Sequence, residues 1–274
     1  MHATRYEPPP GAKTFALAQP PAPDSATVGL WRLDEAAGQT MGDSGPRHLD
    51  GFIGRDTRPE YARFGGGRRF GRSLYSYGFV PYSPALETGA QFSLEAWVQP
   101  TSYPPFESSA IAARWAREAN QQSWYLGLVG DQSGAVRLGR VSPGTFADLA
   151  GAAGPGVLLF GLQPESAGQA RAFTSTGPLP FDRWTHVAVT FDGALVRIYL
   201  DDHLDAQYAF AGRIRASEAP LLVGNALDSS WFVLNQGSVR LEPVVDAYPF
   251  YAFEGVIDEL RVSDVARFAP GRGR

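Results

Sequence analysis

Carboxylates, isolated histidines and aromatics set among arginines are the groups in this 274-residue chain whose types and spacing could do chemistry. Glu254-Gly255-Val256-Ile257-Asp258-Glu259 reads as a strand, on which Glu254 and Asp258 share a face and Glu259 points the other way. Retaining glycoside hydrolysis needs two carboxylates about 5–5.5 Å apart, and a spacing of four residues does not supply that pair. Gly42-Asp43-Ser44-Gly45-Pro46 has the form of a loop presenting a nucleophilic serine. Where such a loop works in proteolysis, histidine and aspartate lie upstream of the serine. Of the histidines only His2 does so here, and the five residues also suit a plain turn. His2, His48, His186 and His203 show no paired spacing, so a zinc site is not expected. His186 falls inside a predicted strand and reads as a hydrogen-bonded core or cleft residue. With no cysteine, disulfides and thiolate metal sites are excluded. Lys13 is the only lysine, which excludes a catalytic amine from the folded body.

Binding chemistry has better candidates. Sugar rings stack on exposed aromatics while amides and carboxylates fix their orientation. In the run 92–99, Glu95, Trp97 and Gln99 share the face opposite Phe92, Leu94, Ala96 and Val98, so Trp97 could be a stacking platform. Residues 225–254 carry Trp231, Phe232, Tyr248, Phe250, Tyr251 and Phe253, more aromatics than a solvated loop needs. They bind a ligand, cover the body or bury against a neighbouring subunit. Trp115 and Trp124 are secondary candidates beside another loop. Six arginines crowd residues 55–72 with Tyr61, Phe64 and Phe70 between them. That mixture raises the question of nucleic acid. Asp56 and Glu60 dilute it, and the formal net charge of −4 argues against phosphate binding. Gly65-Gly66-Gly67 lacks the Gly-Lys-Ser/Thr of a phosphate loop.

The elements that must position these groups are strands. Phe92 to Gln99 alternates, Trp184 to Phe191 is apolar on both faces, and Ala194 to Leu200 alternates again. Asp192-Gly193 between the last two is a hairpin signal that calls for positive φ at both central residues. Asp201-Asp202 makes the next tight turn with less favourable chemistry. Further strands are expected at Ala219–Gly224 and Gly255–Ser263. Only Ala110–Asn120 carries a weak helical period. Thirty-one glycines and 22 prolines suit many turns and short strands. Residues 1–26 form an extended proline-rich arm. Phe15 and Leu17 are its candidate anchors on a neighbouring chain, with docking on its own domain as the alternative. No stretch is long and apolar enough for a membrane span, and prolines interrupt the place where a secretion signal's apolar segment would lie.

Five segments then match one family in order. They are VGLWRLDEAAGQTMGDSGPRHLDG at 28–51, QFSLEAWVQP at 91–100, WTHVAVTFDGALVRIYLDD at 184–202, PLLVGN at 220–225 and FEGVIDELRVSD at 253–264. The chain resembles the bacterial laminin-G-like, concanavalin-A-like jelly-roll domains. The resemblance implies an all-β fold, a two-sheet antiparallel jelly-roll sandwich. It sets a domain at 27–268, between the arm at 1–26 and a tail at 269–274. It implies binding of glycans, cell surfaces or proteins rather than catalysis, since related glycanases place their carboxylates two apart on one strand. It further implies a structural calcium near the first and last strands, with Asp34, Asp43 and Asp258 as ligands, or else pairing of Asp34 and Asp258 with Arg32 or Arg261. The stretches Asn225–Glu254 and Val141–Pro180 are long for the family, and the usual secretion signal is missing. The expectation is a lectin-like protein displayed on a larger assembly through its arm and acting outside the cell or on a phage-like particle. A purely structural or decoration subunit of such a particle is the alternative.

Overall fold

Alternating apolar residues leave two choices for a chain with few helix-forming runs: pair the strands side by side, then stack the sheets to hide the apolar faces. The computed structural model describes residues 19–116, 120–131, 133, 153–166, 168–226, 232–235, 238–241 and 251–268, the segments 232–235 and 238–241 by backbone alone. The strands are β1 (Thr27–Trp31), β2 (Thr40–Met41), β3 (Gly51–Ile53), β4 (Arg58–Ala62), β5 (Gly65–Phe70), β6 (Gly78–Val80), β7 (Phe92–Pro100), β8 (Ser108–Ala116) and β9 (Gln121–Val129). They continue with β10 (Val157–Leu162), β11 (Arg171–Pro178), β12 (Thr185–Phe191), β13 (Leu195–Leu200), β14 (His203–Ala209), β15 (Leu221–Val223), β16 (Phe232–Asn235), β17 (Ser238–Leu241) and β18 (Gly255–Ser263).

Two eight-stranded antiparallel sheets result. The first runs β14-β13-β12-β7-β18-β5-β4, with β1 beside the second half of β18. The second runs β11-β10-β9-β8-β15-β6-β3-β2, and β16-β17 is a separate hairpin. Phe92, Leu94, Ala96 and Val98 of β7 point inward as expected and meet Trp124, Leu126, Leu158 and Phe160 of the second sheet in one core. Asp205 latches the two sheet edges, accepting from Thr176 N–H and Thr176 Oγ1 at 2.7 Å each. The all-β sandwich expected from the sequence is therefore the observed fold.

Three local expectations need correction. The described part of Ala110–Asn120 is not helical, because Ser108–Ala116 is strand β8 and every residue of it is buried. Burial on both faces erased the two-residue period that would have marked it. Trp124 lies in the core and Trp115 in a second apolar cluster with Ala113 and Tyr125, so neither is a platform beside a loop. The turn chemistry is also inverted. At Asp192-Gly193 only the glycine has positive φ, and the Asp192 carboxylate caps the turn by accepting from Ala194 N–H and Leu195 N–H. Asp201 and Asp202 both adopt positive φ (49° and 66°), the conformation expected of the other turn.

One buried cation holds the opposite end of the molecule. Arg114 is almost fully enclosed and donates to Leu86 O at 2.9 Å, to Ala219 O at 3.2 Å, to Ser217 O and to the Glu87 carboxylate at 2.9 Å. Arg114→Met would strand these acceptors away from water, and is expected to cost about 3 kcal/mol or more. Urea denaturation reads this directly, and an unchanged midpoint would contradict the role.

Candidate functional site

Glu95 and Trp97 project from the outer face of the first sheet, as their spacing requires, but that face is not open. Trp97 is 2% exposed. Arg63 lies over its ring at 4.7 Å, Phe64 meets it edge-on at 5.8 Å, and the His186 ring lies at 5.3 Å. Glu95 accepts from Arg261 Nε at 2.6 Å and lies 3.2 Å from His186 Nε2, while His186 Nδ1 lies 3.0 Å from Asp202 Oδ1. A histidine that faces two carboxylates through both ring nitrogens satisfies them by carrying both protons. Burial alone would push its pKa down. Hydrogen bonds to Asp202 and Glu95, with their charges, outweigh burial and raise it from 6.5 to about 9. Burial correspondingly works to raise the Glu95 pKa, but His186 and Arg261 hold it below the ordinary range. His186 is thus the buried, hydrogen-bonded residue the sequence suggests. Its backbone N–H and ring also fix Asp201 and Asp202, which is why two aspartates tolerate the strained turn.

Both ends of the described chain close this face. Ser93 Oγ donates to Val265 O and accepts from Arg267 N–H. Phe268 packs edge-on against His186 at 6.1 Å and beside Tyr199 at 5.5 Å. At the base of the arm, Pro21 O accepts from Arg32, Ala22 O accepts from Arg261, and Asp24 pairs with Arg267. Phe15 and Leu17 lie outside the described residues.

The carboxylates of β18 do not form a catalytic pair. A bulge at Glu259, where φ is +53°, sets Asp258 opposite Trp97 and Arg261 opposite Glu95. Glu259 turns to Arg32 at 2.8 Å. Asp258 is fully buried, accepts Phe64 N–H through Oδ2 at 2.9 Å and leaves Oδ1 without a partner. Burial drives its pKa up from 3.8 to about 7, assisted by the charge of Glu259. Asp34 and Asp258 therefore do not pair with Arg32 and Arg261, which hold Glu259 and Glu95 instead.

β1 and β18 do pair, but Asp43 does not present its carboxylate to a calcium ion. Asp43 accepts from Leu30 N–H, Gly45 N–H and Leu49 N–H at 2.7–2.8 Å, so positive dipoles occupy the positions a cation would take. Among the described residues no group of three or more histidine, aspartate or glutamate side chains is arranged to hold a metal.

Among the described residues an open polar and aromatic surface lies at the loop end, where β7 finishes and β8, β10, β12, β14 and β18 begin. The two long connections, β9 to β10 and β15 to β18, also leave and return there. Phe181 is 45% exposed and packs against Tyr103 at a tilt of 45°, with ring centroids 4.1 Å apart. Gln99 Nε2 donates to Asp182 O at 3.0 Å. Glu254 accepts from Arg72 and Ser102. Arg183 pairs with Asp201 at 3.2 Å. Of the aromatic stretch, Tyr251 is buried in the second apolar cluster and Phe253 in the core. Trp231 and Tyr248 lie outside the described residues, as does the side chain of Phe232. Phe181 was missed in the sequence, though Leu179-Pro180-Phe181-Asp182 carries a signal: an aromatic set in a proline-aspartate turn has no regular element to carry it inward.

Two stacked antiparallel sheets around one shared core define a concanavalin-A-like β-sandwich. The chain matches the model of the concanavalin A-like lectin/glucanases superfamily over residues 73–233, and it belongs to that superfamily. No curated protein matches it. Among solved structures it is similar to the binding domain of Paraclostridial Mosquitocidal Protein 1, with 10% identity over 88% of this chain and 49% of that chain and a TM-score of 0.58. It is also similar to domain 4 of AbnA, a GH43 extracellular arabinanase from Geobacillus stearothermophilus, in complex with arabinotriose. That match has 16% identity over 88% of this chain and 93% of that chain, with a TM-score of 0.52. The Botulinum neurotoxin serotype G binding domain shares 12% identity over 88% of this chain and 48% of that chain, with a TM-score of 0.56. The chain spans about half the length of the two toxin domains. At these identities the likeness shows the fold.

Both raised pKa values make stability fall as pH rises. The His186 contribution is complete below its unfolded value of about 6.5 and disappears as pH passes about 9, an effect of about 3 kcal/mol. The Asp258 contribution is complete below about pH 4 and disappears as pH passes about 7. Melting temperature is expected to fall from pH 6 to pH 9.5. His186→Gln should melt lower at pH 6 and lose less than the wild type on going to pH 9.5, the remaining loss being that of Asp258. A wild-type melt that rises over this interval would refute the assignment.

Proposed function

We propose that this chain is a non-catalytic recognition module that binds glycans, or a surface that bears them, through its loop end. The observation that carries the reading is the division of the molecule. The outer face of the first sheet around Glu95 and Trp97 is sealed by charge pairs and by both ends of the described chain, whereas the loop end presents the exposed Phe181, backed by Tyr103, amid hydrogen-bonding side chains. Aromatic faces with nearby acceptors and donors suit sugar rings. The arabinanase domain solved with arabinotriose and the toxin binding domains share the fold and lend support.

Catalysis is not part of the proposal, because the candidate carboxylates are separated: Glu254 lies at the loop end and Asp258 is enclosed beneath Trp97. The arm is read as the attachment to a larger assembly. Its base is held on the sealed face by Arg32, Arg261 and Arg267. Attachment there would leave the loop end free.

A glycan array with the full chain, paired with a reducing-end assay on the retained polysaccharides, tests this. Retention without release of reducing ends is expected. Hydrolysis, or no retention on any glycan, would overturn the reading.

A further inference from the structure

We infer that Phe181, backed by the tilted ring of Tyr103, is a fixed aromatic platform for a neutral pyranose or furanose ring, with Gln99 and the Ser102–Glu254–Arg72 group supplying its hydrogen bonds. The inference rests on the recognition reading above and names its site and ligand class.

Pre-organisation is the first ground. Tyr103 donates through its hydroxyl to Leu179 O at 3.3 Å, and its ring occupies the space beside Gly156. A Cβ on Gly156 would fall within the Tyr103 ring, and φ there is +80°, so glycine is required twice over. Leu179 N–H in turn donates to Gly156 O at 2.9 Å. The ring beneath Phe181 is therefore held before any ligand arrives, which lowers the ordering cost of binding. Phe52, more exposed at 59%, lies on a sheet face beside Phe79 and has no such setting.

Placement of the polar groups is the second ground. Asp182 N–H donates to Pro100 O at 2.8 Å on one side of the end of β7, and Thr101 N–H donates to Glu254 O at 2.9 Å on the other. Phe181 and Glu254 thus flank the same backbone from the two neighbouring strand positions. Two strand spacings separate them by roughly 10 Å, a span suited to a short oligosaccharide rather than a single ion. Within it, Gln99 Oε1 and Glu254 Oε1 take no donor among the described residues and can accept sugar hydroxyls.

Charge selects the class. Arg72 is neutralised by Glu254 and Arg183 by Asp201. Among the described residues, an acidic sugar would meet carboxylates whose arginine neighbours are already paired, whereas hydroxyls suit both the acceptors and the remaining arginine N–H groups.

Affinity electrophoresis of the full chain through gels of arabinan, galactan, xylan, mannan and β-glucan, and of polygalacturonate and heparin, tests the assignment. Retardation by at least one neutral polymer is expected, with at least a tenfold loss of affinity in Phe181→Ala, recovery in Phe181→Tyr and a smaller loss in Gln99→Ala. Neutral binding that is unchanged in both Phe181→Ala and Gln99→Ala would overturn the platform and leave the recognition reading intact. Retardation by the acidic polymers alone would overturn the ligand class. No retardation by any polymer would overturn the recognition reading with it.

Discussion

The Glu95–His186–Asp202 chain of contacts, with Arg261 on its flank, is the constraint on which this molecule's arrangement depends. Four charged groups are sealed on the outer face of a sheet, and each is costly to bury alone. Together they tie the neighbours of the central strand to one another. Glu95 belongs to β7, His186 to β12, Arg261 to β18, and Asp202 to the turn that joins β13 to β14. An apolar outer face would have bound its cover without regard to register. Here a one-residue slip of β12 would turn His186 inward and leave two carboxylates stranded.

The division of labour between the two surfaces follows. A face closed by ion pairs, by Phe268 and by the base of the arm has little freedom to admit a ligand. The loop end has no such duty, and the chain's long connections converge on it. Side chains can vary there while the sandwich beneath stays the same, which is the usual relation between a rigid scaffold and its loops.

How far the residues announced this is uneven. The strand at 92–99 was legible because one face meets the core and the other does not, so alternation survived. β8 was not, because both of its faces are buried and the period vanished. The face carrying Glu95 and Trp97 was legible as a face, yet its burial was not. The residues that cover it, Arg63, Phe64 and Phe268, come from distant parts of the chain, and local spacing holds no record of them. The same reason hid the partners of Arg32 and Arg261, which depend on a bulge at Glu259 that no propensity foretells. Phe181 escaped notice for the opposite reason: it is a single aromatic with no periodic company.

The meeting of Asp24 with Arg267 has a consequence for how such a sandwich can be built into larger polypeptides. Its entry and exit points are side by side, so a host protein could accommodate it within a surface loop without stretching its own backbone.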